Sequence, residues 1–552
     1  MGVDVAATAD TAVELLRQQA ARFGEKTAFS YSYHGDGRDG AAVSFRELDA
    51  RARAIGAALQ QLGAAGERVV VVCSPGLDGI AGVFGCWYAG AVAVPVPERV
   101  GPRLASVIAD AGVGFAVGSP QMPASVRAAL ATLSLVWCGT DDGDTEQWVA
   151  PDVDADSSAL IQYSADTADC SKGVVVTHEN VLVNLGAIGA AGLGDSRDVV
   201  VSWLPTHHER GLIGVVLAGI CAGATTMLMS PSAFIARPMC WLEAISRWRA
   251  TVTMAPDFAY RLCVQRSTRD QREALDVSSL STAVITGGEP VRAATMRAFT
   301  EAFAPAGFRA EAFTPVYGLV EATLLVSGGS TSDTTVVCHL DRGGLASGWA
   351  LDTDSNDPGA VAVVGCGRAR QHVVIVDPDT RVECGPDEVG EIWVSGPAVQ
   401  LGRCADLVVL GGVHYYPNEL ESTVQDCHAV LLTGRGAVFA DESERLVVVQ
   451  EVSCPAGEDD LATLVAPIQC ALAESHGIDA DSIMLVEPMR LPTGPDGQIR
   501  RGACRWQYLD GELDALAHWH APASVGLAGE PRETNVVKLA ETVTARRKRV
   551  CH

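Results

Sequence analysis

The sequence predicts an α/β protein built on parallel sheets, followed by a β-rich module and a small α+β domain. Three observations support this prediction. Short, apolar, β-branched runs alternate with stretches of helical periodicity through the first 300 or so residues. Proline and glycine turns separate short apolar runs between residues 360 and 400. The pattern then changes again after Asp406. A chain of 552 residues has room for such an arrangement, at roughly 100–200 residues per domain.

The first elements form a strand–helix–strand unit. Apolar residues recur at helical spacing over residues 45–62, and Val69–Cys73 is an apolar, β-branched strand. After a Ser-Pro-Gly turn, a helical stretch leads to the next strand at Ala91–Pro95. Such a unit is typical of a parallel sheet. Similar units are predicted at 159–192, 199–229 and 283–305.

The second half of the chain predicts two smaller units. Val361–Val364, Val373–Val376 and Glu391–Val394 are short strands of a β-rich module. The predicted elements after Asp406 are a strand at Leu407–Leu410, a helix opening at Pro417, a hairpin of Ala437–Ala440 with Leu446–Gln450, a helix near 460–476 and a strand near 483–487. From about residue 520 there are few apolar anchors, so we expect a loosely ordered tail.

Composition excludes several classes of protein. Lys and Arg number 41 and Asp and Glu 67, a net charge of −26, which argues against binding nucleic acid or anionic membrane. The segment Gly211–Ala236 carries no charge, but its glycines and a Ser-Pro-Ser break predict a buried helix and strand rather than a membrane span. The 16 cysteines include no CxxC pair, and no signal peptide is expected after Met1. We therefore expect a cytoplasmic protein with reduced thiols.

Several motifs resemble those of the fatty acyl-AMP ligases, within the adenylate-forming superfamily. They include the segments 202–214, 237–263, 287–291, 317–323 and 390–393. The resemblance covers about residues 10–515. It implies two doubly wound subdomains plus a distorted β-barrel, followed by a small mobile α+β domain. Members join a fatty acid to AMP and pass the acyl group to the phosphopantetheine thiol of a carrier protein.

The resemblance also sets the expected domain boundaries. The large N-terminal domain should cover residues 1–405, with the β-rich module at about 360–400. The small C-terminal domain should cover 406–515, and the tail 516–552.

The sequence departs from the family pattern on the nucleotide side. The family's phosphate loop reads TSGSTGxPKG, whereas this chain has Asp166 and Asp169 in place of two glycines and keeps Lys172. The TGD motif, whose aspartate holds the ribose in the family, is absent before Asp406, which still matches the hinge motif GRxKD. Gln498 replaces the family's lysine that reaches the acyl phosphate.

These departures predict that ATP is not used. An aspartate about 4 Å from a phosphate charge costs about 4 kcal/mol at an effective dielectric constant near 20. Millimolar ATP binding is worth only about 4 kcal/mol. We therefore predict that Lys172, Tyr317 and Asp406 mark a degenerate nucleotide site, and that no cofactor or resident metal is bound. The alternative is a divalent cation held by the side chains of Asp166, Asp169 and Glu321.

A group of titratable residues lies where the family reads LPxYHDMGLIG. His208 matches the family histidine, and its neighbours here are His207 and Glu209. Imidazoles beside a carboxylate suit acid–base catalysis. Glu321, which faces magnesium in the family, is a further catalytic candidate, or a group that is merely inherited. A metal site formed by 207–209 alone is disfavoured, because adjacent residues of an extended segment point to opposite sides.

The resemblance also implies an acyl pocket. Phe234, Trp241 and Phe258, with Trp248 nearby, match family segments around the fatty-acyl tunnel. A packed core would also explain these aromatic residues.

The sequence thus predicts a divergent fatty acyl-AMP ligase homologue that has lost adenylation. It would act without ATP on an acyl or polyketide-like chain, carried by a carrier protein or coenzyme A, in lipid or natural-product biosynthesis. One alternative is an active ligase that uses ATP and magnesium to load an acyl carrier protein. Another is a non-catalytic scaffold that binds a carrier protein or synthase.

Overall fold

The computed structural model describes most of the chain. The described residues are 9–33, 40–98, 102–133, 135–163, 173–192, 194–287, 290–329, 334–378, 380–399, 408–410, 413–415, 417–441, 445–453, 463–493 and 499–521.

The strands are β1 Thr27–Ser32, β2 Gly40–Ser44, β3 Arg68–Cys73, β4 Val92–Pro97, β5 Phe115–Gly118, β6 Val136–Gly139, β7 Ser158–Tyr163, β8 Gly173–Thr177, β9 Val199–Ser202, β10 Thr225–Met229, β11 Val252–Ala255, β12 Thr282–Ile285, β13 Phe313–Gly318, β14 Leu325–Gly328, β15 Val337–Asp341, β16 Ala360–Val364, β17 Arg368–Ala369, β18 His372–Val376, β19 Glu391–Ser395, β20 Val408–Leu410, β21 Val413–Tyr415, β22 Leu431–Ala440, β23 Leu446–Val452, β24 Ser482–Val486 and β25 Ala515–His520.

The helices are α1 Ala12–Phe23, α2 Phe45–Gln61, α3 Asp78–Ala89, α4 Pro102–Ala111, α5 Ala124–Thr132, α6 His178–Ala190, α7 Glu209–Gly211, α8 Ala218–Ala222, α9 Pro231–Ala236, α10 Met239–Trp248, α11 Asp257–Arg266, α12 Arg269–Glu273, α13 Ala293–Phe303, α14 Arg342–Ala346, α15 Pro417–Asp426, α16 Val465–His476 and α17 Arg501–Leu509. A π-helical segment, Leu212–Leu217, connects α7 and α8.

The first sheet has the strand order β6-β5-β3-β4-β7-β8 and is parallel except for the β7–β8 pair. The predicted strand–helix–strand unit is confirmed: β3 and β4 are parallel, and α3 connects them. Helices α2 and α3 pack closely because Gly85 has no side chain, since a Cβ there would clash with Ile55. The four valines of β3, with Val94 and Val96 of β4, are fully or almost fully buried, as expected for a sheet covered by helices on both faces.

The second sheet has the order β17-β14-β13-β12-β11-β9-β10-β1-β2. Strands β1, β10, β9, β11, β12 and β13 are parallel to their neighbours in that order. The carboxyl ends of these strands therefore share one edge, which we call the site edge. In open α/β sheets ligands bind outside this edge.

The uncharged segment from Gly211 to Ala236 folds into several short elements within the second sheet and its helices. Gly223, with φ of 69°, ends α8, and β10 follows two residues later. The predicted buried helix and strand are thus confirmed. Within the described ranges, every helix is too short or too polar to cross a bilayer.

The β-rich module differs from the predicted barrel. Strands β15–β16 and β18–β19 form two separate antiparallel ribbons, and the described residues form no closed barrel. Strand β17 lies in this part of the chain but pairs with β14, so it joins the second sheet and does not link the two ribbons into a barrel. Trp393 and Ile392 of β19 are about two-fifths exposed as a result of this open arrangement.

The last part of the chain forms a four-stranded sheet, β22-β23-β24-β25, with α15, α16 and α17. It contains the predicted hairpin, helix and strand. Arg435 and Glu451 form a buried bidentate ion pair at 2.7 and 2.8 Å, and the backbone N–H of Leu491 also donates to Glu451. Strand β25 extends beyond residue 515, where we expected the domain to end; residues 522–552 lie outside the described ones.

Candidate functional site

A buried acid–base cluster lies at the site edge, six residues after the end of β9. His208 Nδ1 is 2.8 Å from Glu209 Oε2, and Arg210 Nε is 3.9 Å from Glu209 Oε1. The three side chains are only 9–11% exposed. The two neighbours meet because His208 is extended while Glu209 begins α7. The expectation that an extended segment would separate them is therefore wrong at this point.

The electrostatics of the cluster favour an ionised Glu209. Burial alone would raise the pKa of this carboxyl group, but the charge and hydrogen bond of His208 and the charge of Arg210 lower it to about 2. Since a carboxylate can only accept hydrogen bonds, His208 carries its proton on Nδ1. Glu209 therefore fixes the tautomer and orientation of the His208 ring.

The turn that carries the cluster is held by its backbone. The N–H of His208 donates to the carbonyl of Pro205 at 3.2 Å, and the N–H of Leu212 donates to the carbonyl of His208 at 2.8 Å. Gly211 is required here, since a Cβ at this position would clash with the Pro205 carbonyl. The cluster is thus positioned by a short rigid turn.

The π-helical segment after the cluster lines one of two neighbouring apolar cavities. Such segments are rare and occur frequently at functional sites. A Cβ at Gly214 would lie 2.9 Å from Leu324 Cδ2 and 3.1 Å from the Met254 side chain. Glycine therefore lets the helix approach these two side chains closely.

The two cavities have about 20 Å³ each, room for about one water molecule apiece. They share Ile188 and Met254 in their linings. The first is also lined by Gly194, Val200, Gly214, Val215, Ala218, Gly219, Ala222, Ala224, Val252 and Val284. The second is also lined by Thr286, Val316, Tyr317, Gly318, Leu324 and Leu325. The shared residues place the two cavities next to each other, with Tyr317 of β13 in the lining of the second, and we call the pair the apolar passage.

The aromatic residues predicted to line an acyl pocket form a packed cluster. Phe234 stacks on Trp203 with ring centroids 4.0 Å apart, and Trp241 contacts its edge at 5.8 Å. Phe258 is half-buried against both Trp203 and Phe234. Neither cavity includes these side chains in its lining. Their role toward an acyl chain stays a prediction.

Glu321 lies in a buried 3₁₀ turn directly after β13 and is 8% exposed. Asn184 of α6 clamps this turn: its amide donates to the carbonyls of Ala322 and Leu325, and its carbonyl accepts from the Leu325 N–H. Sequence reasoning missed Asn184. The signal was an amide side chain in the middle of the apolar run VLVNLGAIG.

The remaining nucleotide-side candidates cannot be placed relative to this cluster. Lys172, Asp406, Asp166, Asp169 and Gln498 lie outside the described residues. Within the described ranges, no three or more His, Cys, Asp and Glu side chains are grouped to hold a metal ion. Glu321 is therefore not part of a described group of three or more such side chains.

Comparison with known proteins defines the class to which this fold and site belong. Residues 16–402 match the AMP-binding enzyme family, and residues 405–518 match the AMP domain of the Disco-interacting protein 2-like family. The chain belongs to the AMP-binding enzyme family, and so to the adenylate-forming superfamily.

Two of its relatives are named as fatty-acid ligases. The chain is 32% identical to the medium-chain-fatty-acid–[acyl-carrier-protein] ligase JamA of Moorena producens, over 93% of this chain and 97% of the relative. It is 30% identical to the long-chain-fatty-acid–AMP ligase FadD32 of Mycolicibacterium smegmatis, over 89% of this chain and 93% of the relative.

Solved structures agree with this assignment. The fatty acid AMP ligase from Legionella pneumophila is similar with a TM-score of 0.69 and 29% identity, over 94% of this chain and 99% of that one. The fatty acyl-adenylate ligase from L. pneumophila, solved with acyl adenylate and pyrophosphate, is similar with a TM-score of 0.70 and 29% identity, over 93% of this chain and 98% of that one. The predicted resemblance to fatty acyl-AMP ligases and the predicted α/β fold of the adenylate-forming superfamily are therefore confirmed, whereas the degenerate ATP site stays a prediction.

Proposed function

We propose that this protein is a fatty acyl-AMP ligase, which joins a fatty acid to AMP and then transfers the acyl group to an acyl carrier protein. This function was an alternative at the level of the sequence. The similarity to ligases named for these activities, over about nine-tenths of the chain, supports it. The structural observation that carries it is the apolar passage, whose second cavity is lined in part by Tyr317.

The passage suits the tail of a fatty acid. Apart from Thr286 and Tyr317, the side chains that line it are aliphatic or thioether groups, or are absent at glycines. Its present width admits no alkyl chain, so binding must move the flexible side chains of Met254 and Leu324. Each buried methylene group then contributes about 0.8 kcal/mol. The carboxylate head would stay at the site edge.

The His208 cluster lies beside this passage. Gly214, four residues after Arg210, is in close reach of Leu324, and Leu324 lines the passage next to Gly318. We assign His208 the role of an acid–base or hydrogen-bonding group at the reacting carboxylate. Glu209 is a positioning residue, because it acts through the imidazole ring.

ATP, in this proposal, is a substrate. The adenylation step forms a bond between a carboxylate oxygen and the α-phosphorus of ATP, and pyrophosphate leaves. In the second step the carrier thiol attacks the acyl carbon, and AMP leaves while the thiol proton is lost. Among the described residues, we assign to His208 the role of accepting that proton.

A second candidate function is conversion of a carrier-bound or coenzyme A-bound acyl chain without ATP. The specific observation in its favour is the sequence on the nucleotide side, with Asp166, Asp169 and Gln498 and without a TGD motif. An acidic loop repels phosphate, and loss of a charge-assisted hydrogen bond removes roughly 1.5–3 kcal/mol. The acyl passage and the His208 cluster would serve this function equally.

Pyrophosphate exchange separates the two candidates. The purified chain is mixed with ATP, magnesium, labelled pyrophosphate and octanoic, dodecanoic or hexadecanoic acid. Acid-dependent exchange is expected, followed by acyl loading of a holo carrier protein that mass spectrometry detects. No exchange, together with no calorimetric heat of ATP binding, refutes the ligase. Turnover of an acyl-carrier substrate without nucleotide would then establish the second candidate.

A further inference from the structure

A basic region of this acidic chain lies on a layer of helices that connects strands of the second sheet. Residues 237–309 contain ten arginines and no lysine against seven Asp and Glu, whereas the whole chain has 41 basic against 67 acidic residues. We call the helices of this region, α10 to α13, the arginine layer.

Topology places the main helices of the layer on one face of the second sheet. Helix α10 connects β10 to β11, α11 and α12 connect β11 to β12, and α13 connects β12 to β13. These crossovers run in the same direction along the strand order, and crossovers between parallel strands are right-handed. Helices α11 and α13 also pack against each other. The arginines therefore share one surface.

Four of the seven acidic residues of the layer are paired with arginine, whereas Asp270 and Glu301 are exposed and form no ion pair among the described residues. Glu243 pairs with Arg237 at 2.6 Å, Glu273 with Arg269 at 2.7 Å, and Asp276 with Arg249 at 3.5 Å. Asp257 is 3.8 Å from Arg261.

Two exposed arginines remain in excess. Arg266 at the end of α11 and Arg297 in α13 are exposed, and no described carboxylate lies within ion-pair distance of either. The layer thus carries local positive charge on a protein whose surface is otherwise acidic.

We infer that the arginine layer is the docking surface for an acyl carrier protein, a small helical protein with an acidic surface. This inference rests on the proposed carrier-dependent function. Charge complementarity selects the occupant: an acidic partner is repelled by the net negative charge of this chain and attracted by the net positive charge of the arginine layer. The remaining acidic surface would repel the long polyanion of a nucleic acid wherever it extends past the layer.

The position of the layer fits the chemistry. Helix α11 begins at Asp257, two residues after β11 ends at the site edge, and its ten residues span about 15 Å. A carrier seated on it would hold its thiol arm toward the edge where His208 lies. Ile235 of α9, at the same edge, is 45% exposed and supplies an apolar contact.

The test compares two double variants of equal charge change. Arg266→Glu with Arg297→Glu reverses the layer. Arg22→Glu with Arg127→Glu reverses two exposed arginines elsewhere, in α1 and α5. Biolayer interferometry measures association of each full-length protein with immobilised holo acyl carrier protein of type II fatty acid synthesis. Because charge steering acts mainly on association, the layer variant should associate at least about 10-fold more slowly at low salt.

The control variant should associate like the parent, and the difference should vanish at about 0.5 M salt, where charges are screened. Equal slowing of both variants, or a parent that does not bind this carrier, overturns the inference. Pyrophosphate exchange of both variants without carrier tests the ligase separately. If exchange is absent in every variant while carrier association still depends on Arg266 and Arg297, the ligase proposal fails and the docking surface stands.

Discussion

Replacing Glu209 with glutamine tests the buried cluster by its effect on stability. The Glu209 carboxyl group has an ordinary pKa of 4.5 that the fold lowers to about 2. At 1.36 kcal/mol per factor of ten, this difference corresponds to about 3 kcal/mol in favour of the ionised form in the folded state. The variant Glu209→Gln keeps the shape but loses this contribution, and it leaves Arg210 beside a neutral amide.

The pH dependence gives the sign of the effect. Because the folded pKa is depressed, the stabilisation is fully present above pH 4.5 and is lost as pH falls toward 2. Urea unfolding should therefore show Glu209→Gln about 3 kcal/mol less stable than the parent at pH 7. The gap should narrow to about 1 kcal/mol at pH 3, because protonation then removes most of the parent's advantage.

An exposed carboxylate serves as the control. Glu311→Gln alters a group that is exposed to solvent. Its unfolding free energy should stay within about 0.5 kcal/mol of the parent at both pH values. The reasoning is refuted if Glu209→Gln loses less than about 1 kcal/mol at pH 7, or if its deficit is the same at pH 3.

Three further predictions concern the site and its support. His208→Ala, shown to be folded by circular dichroism, should lose 10²–10⁴ of the acyl-transfer rate, and a parent-like rate would leave His208 without an acid–base role. Gly214→Leu should abolish binding of hexadecanoic acid in calorimetry, since the new side chain would meet Leu324 and fill the passage; Gly186→Leu, where a Cβ has open space, is the control. Burial lowers the pKa of His178 to about 4, so the unfolding free energy of the parent should fall by about 3 kcal/mol between pH 6.5 and pH 4. In urea unfolding, His178→Gln should not show this decrease with pH.

The parallel units of the fold could be predicted because their signal is local. Valine-rich runs such as β3 are buried on both faces, and this burial is visible as an unbroken apolar stretch. Pairing between distant segments leaves no such trace. The pairing of β17 with β14 replaces part of the expected barrel, and nothing in Arg368 or Ala369 indicates it.

The candidate site could be predicted only in part, for a related reason. The residue types His and Glu made the His208 cluster predictable from the sequence. The start of a helix at Glu209, which brings the two side chains together, could not be predicted. The aromatic residues predicted to line an acyl pocket pack against one another, and their role toward an acyl chain stays a prediction. The apolar passage lies among small residues such as Gly214, Gly219 and Ala222, because large rings fill space whereas glycine and alanine leave it open.

Two of the buried charge clusters among the described residues differ in a way that separates structure from chemistry. Arg435 and Glu451 form a bidentate pair in the small sheet, and the Leu491 N–H satisfies the carboxylate further, as expected of a structural pair. At the site edge the charge on Arg210 is 3.9 Å from Glu209, and the carboxylate's close partner is an imidazole beside an apolar passage. A buried charge costs desolvation energy that an apolar residue would not. That cost is reasonable at Glu209 because it places a titratable ring at the head of the passage, so the acyl end is where the chemistry of this protein should be sought, whichever way the acyl group is activated.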